Sequence, residues 1–158
     1  MQYEEFIIYL AGFFDGEGNI NLYHHKPTYV NRYGQYALQV RISQKKREGL
    51  DQIIPVFRGK IIKIRYGWQW TSSGSTAAYF LKQISPYLQS KRIEAAKAIE
   101  FQMLIGKAGR GKGQKLTEKE IEIREKLYQE FREIREIGKP PNVYQYFLSE
   151  GRTPHDSI

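Results

Sequence analysis

The sequence contains no cysteine, so disulfides, thiolate zinc sites and cysteine nucleophiles are all excluded. It also has no run approaching the ~18 apolar residues that a membrane-spanning helix needs. Its beginning lacks the basic, apolar and small-residue order of a signal peptide. These absences predict a soluble, intracellular protein with no membrane partner.

Acidic residues are outnumbered by basic ones. Lys and Arg total 25 against 17 Asp and Glu, which gives a formal net charge of +8 over 158 residues. The length and the 41% hydrophobic content suit one globular domain. A charge of this sign favours a polyanionic partner, most simply a nucleic acid, although many basic proteins bind nothing anionic.

Hydrophobic periodicity divides the first two thirds of the chain into helices and paired strands. The predicted order is helix, hairpin, helix, hairpin and two helices, over residues 4–15, 19–25 with 35–43, 47–57, 60–72, 75–84 and 91–105. The segment 26–34 is read as a loop because it holds proline and glycine. The pattern predicts an α+β fold with one antiparallel sheet.

The last third of the chain differs in composition from the rest. A basic, glycine-rich linker, "GKAGRGKGQK", precedes a highly charged helix predicted to begin at a Thr117–Glu120 capping box and end near 137. The linker is not a nucleotide-binding P-loop, since Gly113 stands at the Ser/Thr position and a helix precedes it. We expect residues 1–107 to form a core domain, with 108–158 packed on it.

Strand alternation gives the predicted sheet one strongly polar face. That face holds no acid, and its members are Asn21, Tyr23, His25, Gln35, Gln39, Arg41, Lys63, Arg65, Gln69 and Thr71. Arginine, asparagine and glutamine bind base edges in the DNA major groove. The pattern therefore predicts a DNA-binding face, with a merely solvated basic face as the alternative. In the second hairpin the opposite, apolar face is assigned to Ile62, Ile64, Trp68 and Trp70.

The stretch "LAGFFDGEG", residues 10–18, combines small residues with two acids. Gly12 inside a helix costs about 1 kcal/mol relative to alanine, a cost that close approach of another backbone would justify. The neighbour is either another helix of the same domain or the same helix of a second copy. Gly16 and Gly18 are expected to end the helix through left-handed conformations.

Asp15 and Glu17 fall at the C-terminal end of this helix, where the helix dipole opposes negative charge. A divalent cation explains such a placement most simply. Because no His or Cys cluster accompanies the acids, oxygen ligation of Mg²⁺ is indicated. The tetrapeptide "DGEG" alone is a weak signal, since turns are rich in Asp and Gly.

The stretch resembles the LAGLIDADG motif, with five of nine letters identical and conservative changes elsewhere. Together with the two hairpins that follow, it is similar to the single-motif LAGLIDADG homing endonucleases. This resemblance implies an αββαββα fold with a saddle-shaped, four-stranded antiparallel sheet, helices on one face and an extra C-terminal helix. It also implies an intron-encoded enzyme that cuts double-stranded DNA at one specific site, in an archaeal cytoplasm or an organelle.

The resemblance implies roles for individual residues. Glu17 and the Gly16 carbonyl would bind Mg²⁺ or Mn²⁺, and Ca²⁺ could occupy the site without supporting cleavage. Gln44 would order a water molecule, Lys91 would face the scissile phosphate, and Arg47 would assist.

One motif and no internal repeat imply a homodimer acting on a pseudo-palindromic target. The expected dimer interface is Leu10, Ala11, Gly12, Phe14 and Asp15, with Asp15 bracing the helix end rather than binding metal. The alternatives are a non-catalytic maturase that binds its own intron RNA, a DNA-binding regulator on the same fold, or a structural RNA-binding protein whose match to the motif is chance.

Overall fold

The computed structural model describes residues 1–25, 35–107 and 116–137. The predicted loop at 26–34, the basic linker from 108 to 115 and the tail from 138 onward lie outside these residues. The elements are α1 (Tyr3–Glu17), β1 (Gly18–His25), β2 (Gln35–Gln44), α2 (Glu48–Asp51), α3 (Ile54–Phe57), β3 (Lys60–Ile64), β4 (Gly67–Ser73), α4 (Gly74–Ile84), a 3-10 turn (Ser85–Tyr87), α5 (Arg92–Lys107) and α6 (Glu118–Ile137).

The four strands form one antiparallel sheet in the order β1-β2-β4-β3. One face packs against α1, α4 and α5. The side chains on this face are buried, among them Ile20, Leu22, Leu38, Val40, Ile42 and Trp70. The predicted α+β fold with a four-stranded antiparallel sheet is confirmed.

Aromatic rings form the centre of the core between the sheet and the helices. The Phe80 ring of α4 lies 5.3 Å from Phe14, 5.1 Å from Phe57 and 4.9 Å from Trp70, measured between ring centroids. Trp70 is fully buried and its Nε1 donates to the carbonyl oxygen of Arg58 at 2.7 Å. Buried indole nitrogens usually need such a partner, so this bond fixes the ring at the sheet centre.

Helix α1 begins where the Glu5 carboxylate accepts a hydrogen bond from the Gln2 N–H at 2.9 Å, and it ends at Glu17. Gly18 follows as the C-cap residue, so the helix ends at this glycine as expected, but its φ of −81° is not left-handed and the expected conformation is wrong. The actual requirement is space. A Cβ at position 18 would lie 2.2 Å from the Phe14 ring.

The single helix predicted for residues 47–57 is instead two short helices, α2 and α3. Pro55 stands in the first turn of α3, where its missing N–H leaves no hydrogen bond unmade. The chain therefore restarts a helix at this proline. Leu50, Ile53 and Phe57 still reach the core, as the apolar stripe predicts.

The face assignment in β3 is wrong. Strand pairing sets Lys63 opposite Trp68 and Ile62 opposite Gln69, so Lys63 lies on the face of the tryptophans and Ile62 on the polar face. Ile62 is 46% exposed, and Arg65 lies in the two-residue turn between β3 and β4. Turn length fixed this register, and a shift of one residue exchanges the two faces of a strand.

Helix α6 packs against α5 and against one end of β1 and β2. The Tyr36 hydroxyl donates to the Glu125 carboxylate, and His24 stacks on Tyr36 with 4.3 Å between ring centroids. Phe131 is buried in the core, and Lys97 of α5 bonds Glu130 of α6 at 2.9 Å. Within residues 1–25, 35–107 and 116–137, no helix combines the length and apolar character needed to cross a membrane.

Candidate nucleic-acid interface and metal site

The end of α1 meets the end of β2 at one edge of the sheet. Glu17 is exposed and directly precedes Gly18, which pairs with Ile42 of β2. Gln44, half-buried, is the last residue of β2, two positions beyond Ile42. The fold thus brings Glu17, Gly16 and Gln44 to the same end of the sheet.

Asp15 anchors the start of α5. Its carboxylate accepts hydrogen bonds from the Gln89 N–H at 2.7 Å, the Ser90 hydroxyl at 3.0 Å and the Lys91 N–H at 3.0 Å. Burial alone raises the pKa of this carboxyl, but the hydrogen bonds from Gln89, Lys91 and Ser90 outweigh it and leave the pKa below its ordinary value. The structure thus places Asp15 as a brace between helix ends, facing α5.

Lys91 is held at the C-terminal end of α1. Its ammonium donates to the carbonyl oxygen of Asp15. The last turn of α1 contains no basic residue of its own, so Lys91 supplies a cation at the negative end of that helix. The Lys91 ammonium therefore lies at the backbone of Asp15, two residues before Glu17 in the sequence, and its expected role at the scissile phosphate stays a prediction.

The oxygen atoms at the C-terminal end of α1 are of the kind that bind a hard cation. Glu17 offers a carboxylate and Gly16 a backbone carbonyl, both exposed. In the part of the chain that the structure describes, no three His, Cys, Asp or Glu side chains form a metal-binding group. One protomer thus provides a partial set of oxygen ligands, which fits Mg²⁺ because that ion keeps several waters and takes substrate phosphates as ligands.

The sheet face turned away from the core is polar; we call it the open face. Strand pairing places on it the polar residues Asn19, Asn21, Tyr23, Gln39, Arg41, Ser43, Lys60, Gln69, Thr71 and Ser73, beside Ile62 of β3. Of the residues predicted for DNA contact, Lys63 and Arg65 are not on this face, and the side chains of His25 and Gln35 lie outside the part of the chain that the structure describes. Lys60 is on this face because β3 pairs one residue out of step with the predicted register, and Asn19 and Ser43 follow the alternation of β1 and β2.

Hydrogen bonds connect side chains across the open face. Arg41 Nε donates to Gln39 Oε1 at 2.6 Å, and its guanidinium lies 5.3 Å from the centre of the Tyr23 ring. Gln69 Nε2 lies 3.0 Å from Ser43 Oγ. This face offers polar groups of the kinds that bind base edges and phosphates.

Near the start of α2, Arg47 pairs with Asp51 at 2.9 Å and lies over the Trp68 ring. This arginine therefore already has two contacts within the protomer, and its expected assistance in catalysis stays a prediction.

The exposed side of α1 differs from the predicted dimer interface. Leu10, Ala11 and Phe14 are fully buried in the protomer's own core, so they are unavailable to a partner and their assignment is wrong. The exposed side instead carries Ile8, 48% exposed, and Tyr9, 44% exposed, with Gly12 and Gly16 among the exposed positions. A Cβ at either glycine would meet nothing within 4 Å.

Comparison with known proteins agrees with this architecture. Residues 10–106 match the family model described as LAGLIDADG endonuclease. A sequence search among curated proteins gave no match. The crystal structure of the homing endonuclease I-CvuI, in complex with its target and with Ca, is similar, with a TM-score of 0.69 and 17% identity over 95% of this chain and 97% of that one.

Two further structures extend the comparison. The archaeal intron-encoded homing endonuclease I-Vdi141I, complexed with DNA, has a TM-score of 0.70 and 17% identity, covering 94% of this chain and 95% of that one. The LAGLIDADG homing endonuclease I-SmaMI, bound to cleaved DNA, has a TM-score of 0.62 and 18% identity, covering 77% of this chain and 42% of that one. On the family match over most of its length, the chain belongs to the LAGLIDADG endonuclease family.

Proposed function

We propose that the chain is a homodimeric, metal-dependent homing endonuclease that cuts double-stranded DNA at one long, pseudo-palindromic site, and that a mobile intron encodes it. One observation carries the proposal. Glu17 is exposed at the end of α1, and the outer side of α1 exposes Tyr9 and Gly12. A second copy packed on that side would bring two Glu17 carboxylates together beside the two open faces.

The open face is the proposed DNA surface. Its side chains include amides, hydroxyls and Arg41, and none of them is acidic. The net charge of +8 adds long-range attraction to a phosphate backbone. I-CvuI and I-Vdi141I, which share this fold, were both crystallised with DNA, and this supports a duplex as the partner.

Chain length supports the dimer. This chain matches nearly all of I-CvuI and I-Vdi141I but under half of I-SmaMI. Two copies of it are therefore needed to match the longer enzyme. Because a homodimer has two-fold symmetry, its target would contain two related half-sites.

Glu17 and the Gly16 carbonyl would hold a divalent cation, Mg²⁺ or Mn²⁺, with Ca²⁺ able to fill the site without supporting cleavage. When bound, such a cation supplies Lewis-acid stabilisation of the phosphate and lowers the pKa of nearby water. The Gln44 amide would orient the attacking water by hydrogen bonding. The Lys91 ammonium, positioned through Asp15, would stabilise negative charge on the phosphate.

The test is cleavage of a plasmid that carries the intron-free insertion locus, in Mg²⁺ and in EDTA. Cutting at one place that requires Mg²⁺ supports the proposal and gives the target sequence. Specific binding without cutting would indicate a DNA-binding regulator. Absence of both, with tight binding to the intron transcript, would indicate a maturase.

A further inference from the structure

Two neighbouring amides on the open face have their oxygens held by arginines. Arg135 Nη1, in the last turns of α6, donates to Asn21 Oδ1 at 3.2 Å. Arg41 Nε donates to Gln39 Oε1 at 2.6 Å. Asn21 and Gln39 are directly paired across β1 and β2, so the two amides lie side by side.

The chemistry of arginine fixes the orientation of both amides. A guanidinium only donates hydrogen bonds, so the amide atom facing it has to be oxygen, and the NH₂ group lies on the other side. The Gln39 nitrogen accordingly lies 3.5 Å from Ser73 Oγ. Gln69 is a contrasting case, because its partner is the Ser43 hydroxyl, which both donates and accepts and so imposes no orientation.

Orientation determines which base such a pair can bind. An asparagine or glutamine recognises adenine with both amide atoms, the oxygen accepting from N6 and the nitrogen donating to N7. The oxygen keeps a second lone pair, but an amide whose oxygen faces an arginine presents its NH₂ group on the opposite side, so it approaches a base with donors. Guanine presents two acceptors, O6 and N7, in the major groove, and matches that donor pattern.

We propose that Arg135 is a specificity-determining positioning residue, which holds Asn21 so that Asn21 and Gln39 form a donor patch that favours guanine over adenine. The inference rests on the proposed function, because it concerns how the open face recognises duplex DNA. Arg135 lies outside residues 10–106, so the family match assigns it nothing.

Arg135 is well placed for this role because α6 is anchored to the sheet. Its guanidinium carbon lies 5.9 Å from the centre of the buried Phe131 ring. Nearer the start of α6, Tyr128 contacts His24 of β1, and Glu125 accepts from Tyr36 of β2. Arg132 on the same helix lies over the Tyr128 ring, 6.0 Å from its centre, so an arginine with a different contact on α6 serves as a matched control.

The test selects bound duplexes from a randomised DNA pool in Ca²⁺ and sequences them, for wild type, Arg135→Gln, Arg135→Lys and Arg132→Gln. Glutamine at 135 both donates and accepts, so it releases the orientation of Asn21. We expect wild type to prefer guanine over adenine at one position of each half-site. In Arg135→Gln, the ratio of guanine to adenine at that position should fall roughly tenfold. Arg135→Lys, which still only donates, restores it, whereas Arg132→Gln weakens binding to all sequences alike.

The outcomes separate the inference from the proposed function. If wild type enriches a sequence and Arg135→Gln selects the same bases, the inference is overturned and the proposed function stands. The inference is also overturned if wild type selects adenine at the position where Arg135→Gln differs. If wild type enriches no sequence, the proposed function fails and the inference with it. Thermal unfolding of each variant shows whether a changed profile comes from a folded protein.

Discussion

Lys91 contacts Asp15 at two points, since its backbone N–H donates to the Asp15 carboxylate at 3.0 Å and its ammonium donates to the Asp15 carbonyl oxygen. The first contact fixes the start of α5, and the second brings a cation to the end of the motif helix. The motif thus contains two acids, separated by Gly16, with different surroundings. Asp15 holds α5, and Glu17 stays exposed.

Asp15→Ala should destabilise the protein by about 1–2 kcal/mol, because it leaves the N–H groups of Gln89 and Lys91, directly before α5, without their acceptor. Urea unfolding measures the change. Asp51→Ala is the matched control, since Asp51 is in an exposed pair with Arg47 and its loss should cost about 0.5 kcal/mol or less. Equal effects of the two variants would contradict the capping role.

The stabilisation that Asp15 provides should disappear in acid. Its pKa in the folded protein is below the ordinary value, despite burial, because of its hydrogen bonds with Gln89, Lys91 and Ser90. A lowered pKa means that the ionised form stabilises the fold, fully above the unfolded-state pKa and progressively less as pH falls through the folded-state pKa. Wild type should therefore exceed Asp15→Ala in stability at about pH 6, and the gap should narrow towards about pH 3. A constant gap would contradict the ionic contribution.

Gly12→Leu should leave the protomer folded and prevent association. Position 12 is exposed, nothing in the protomer lies within 4 Å of an added Cβ, and leucine is a good helix former. Against a closely packed second helix, the added side chain should weaken the dimer about tenfold or more. Sedimentation equilibrium measures this, with Gly49→Ala as the control at another uncrowded glycine. Unchanged association would place the dimer interface elsewhere.

Lys91→Met tests the ammonium separately from the backbone contact. The variant keeps the N–H that bonds Asp15 but loses the ammonium bond at the end of α1, so the free energy of unfolding should fall by about 1 kcal/mol. The cleavage rate should fall roughly a hundredfold through loss of charge stabilisation. Binding in Ca²⁺ should persist. Lys82→Met, at an exposed lysine of α4, is the control. A wild-type cleavage rate for Lys91→Met would reduce Lys91 to a structural brace.

The sequence was sufficient for the order of elements, apart from the division of the 47–57 helix, and for the faces of β1, β2 and β4, because apolar residues recur there at every second position. In β3 it was not. This five-residue edge strand has apolar side chains on both faces, from Ile61, Ile62 and Ile64. The sequence pattern therefore does not tell which of its residues face the core. The register came from the two-residue turn at Arg65 and Tyr66 and the pairing with β4.

The motif helix shows a second limit of sequence reasoning. Apolar residues surround α1, so periodicity does not say which of them meet the core. Packing buries Leu10 and Phe14 and leaves Ile8 and Tyr9 exposed. The contact of Arg135 with Asn21 joins positions 114 residues apart, and no local pattern in the sequence signals it.

The most direct test of the account is Glu17→Gln, assayed beside wild type on a plasmid carrying the target. Glutamine keeps the size of the side chain and removes the charge that would hold the cation. We expect cleavage in Mg²⁺ to be lost while specific binding in Ca²⁺ stays within a few-fold of wild type, and Glu48→Gln, at an exposed acid of α2, to cut normally. Cleavage by Glu17→Gln at the wild-type rate, or loss of its binding together with cleavage, would contradict the assignment of Glu17 as the metal-binding acid.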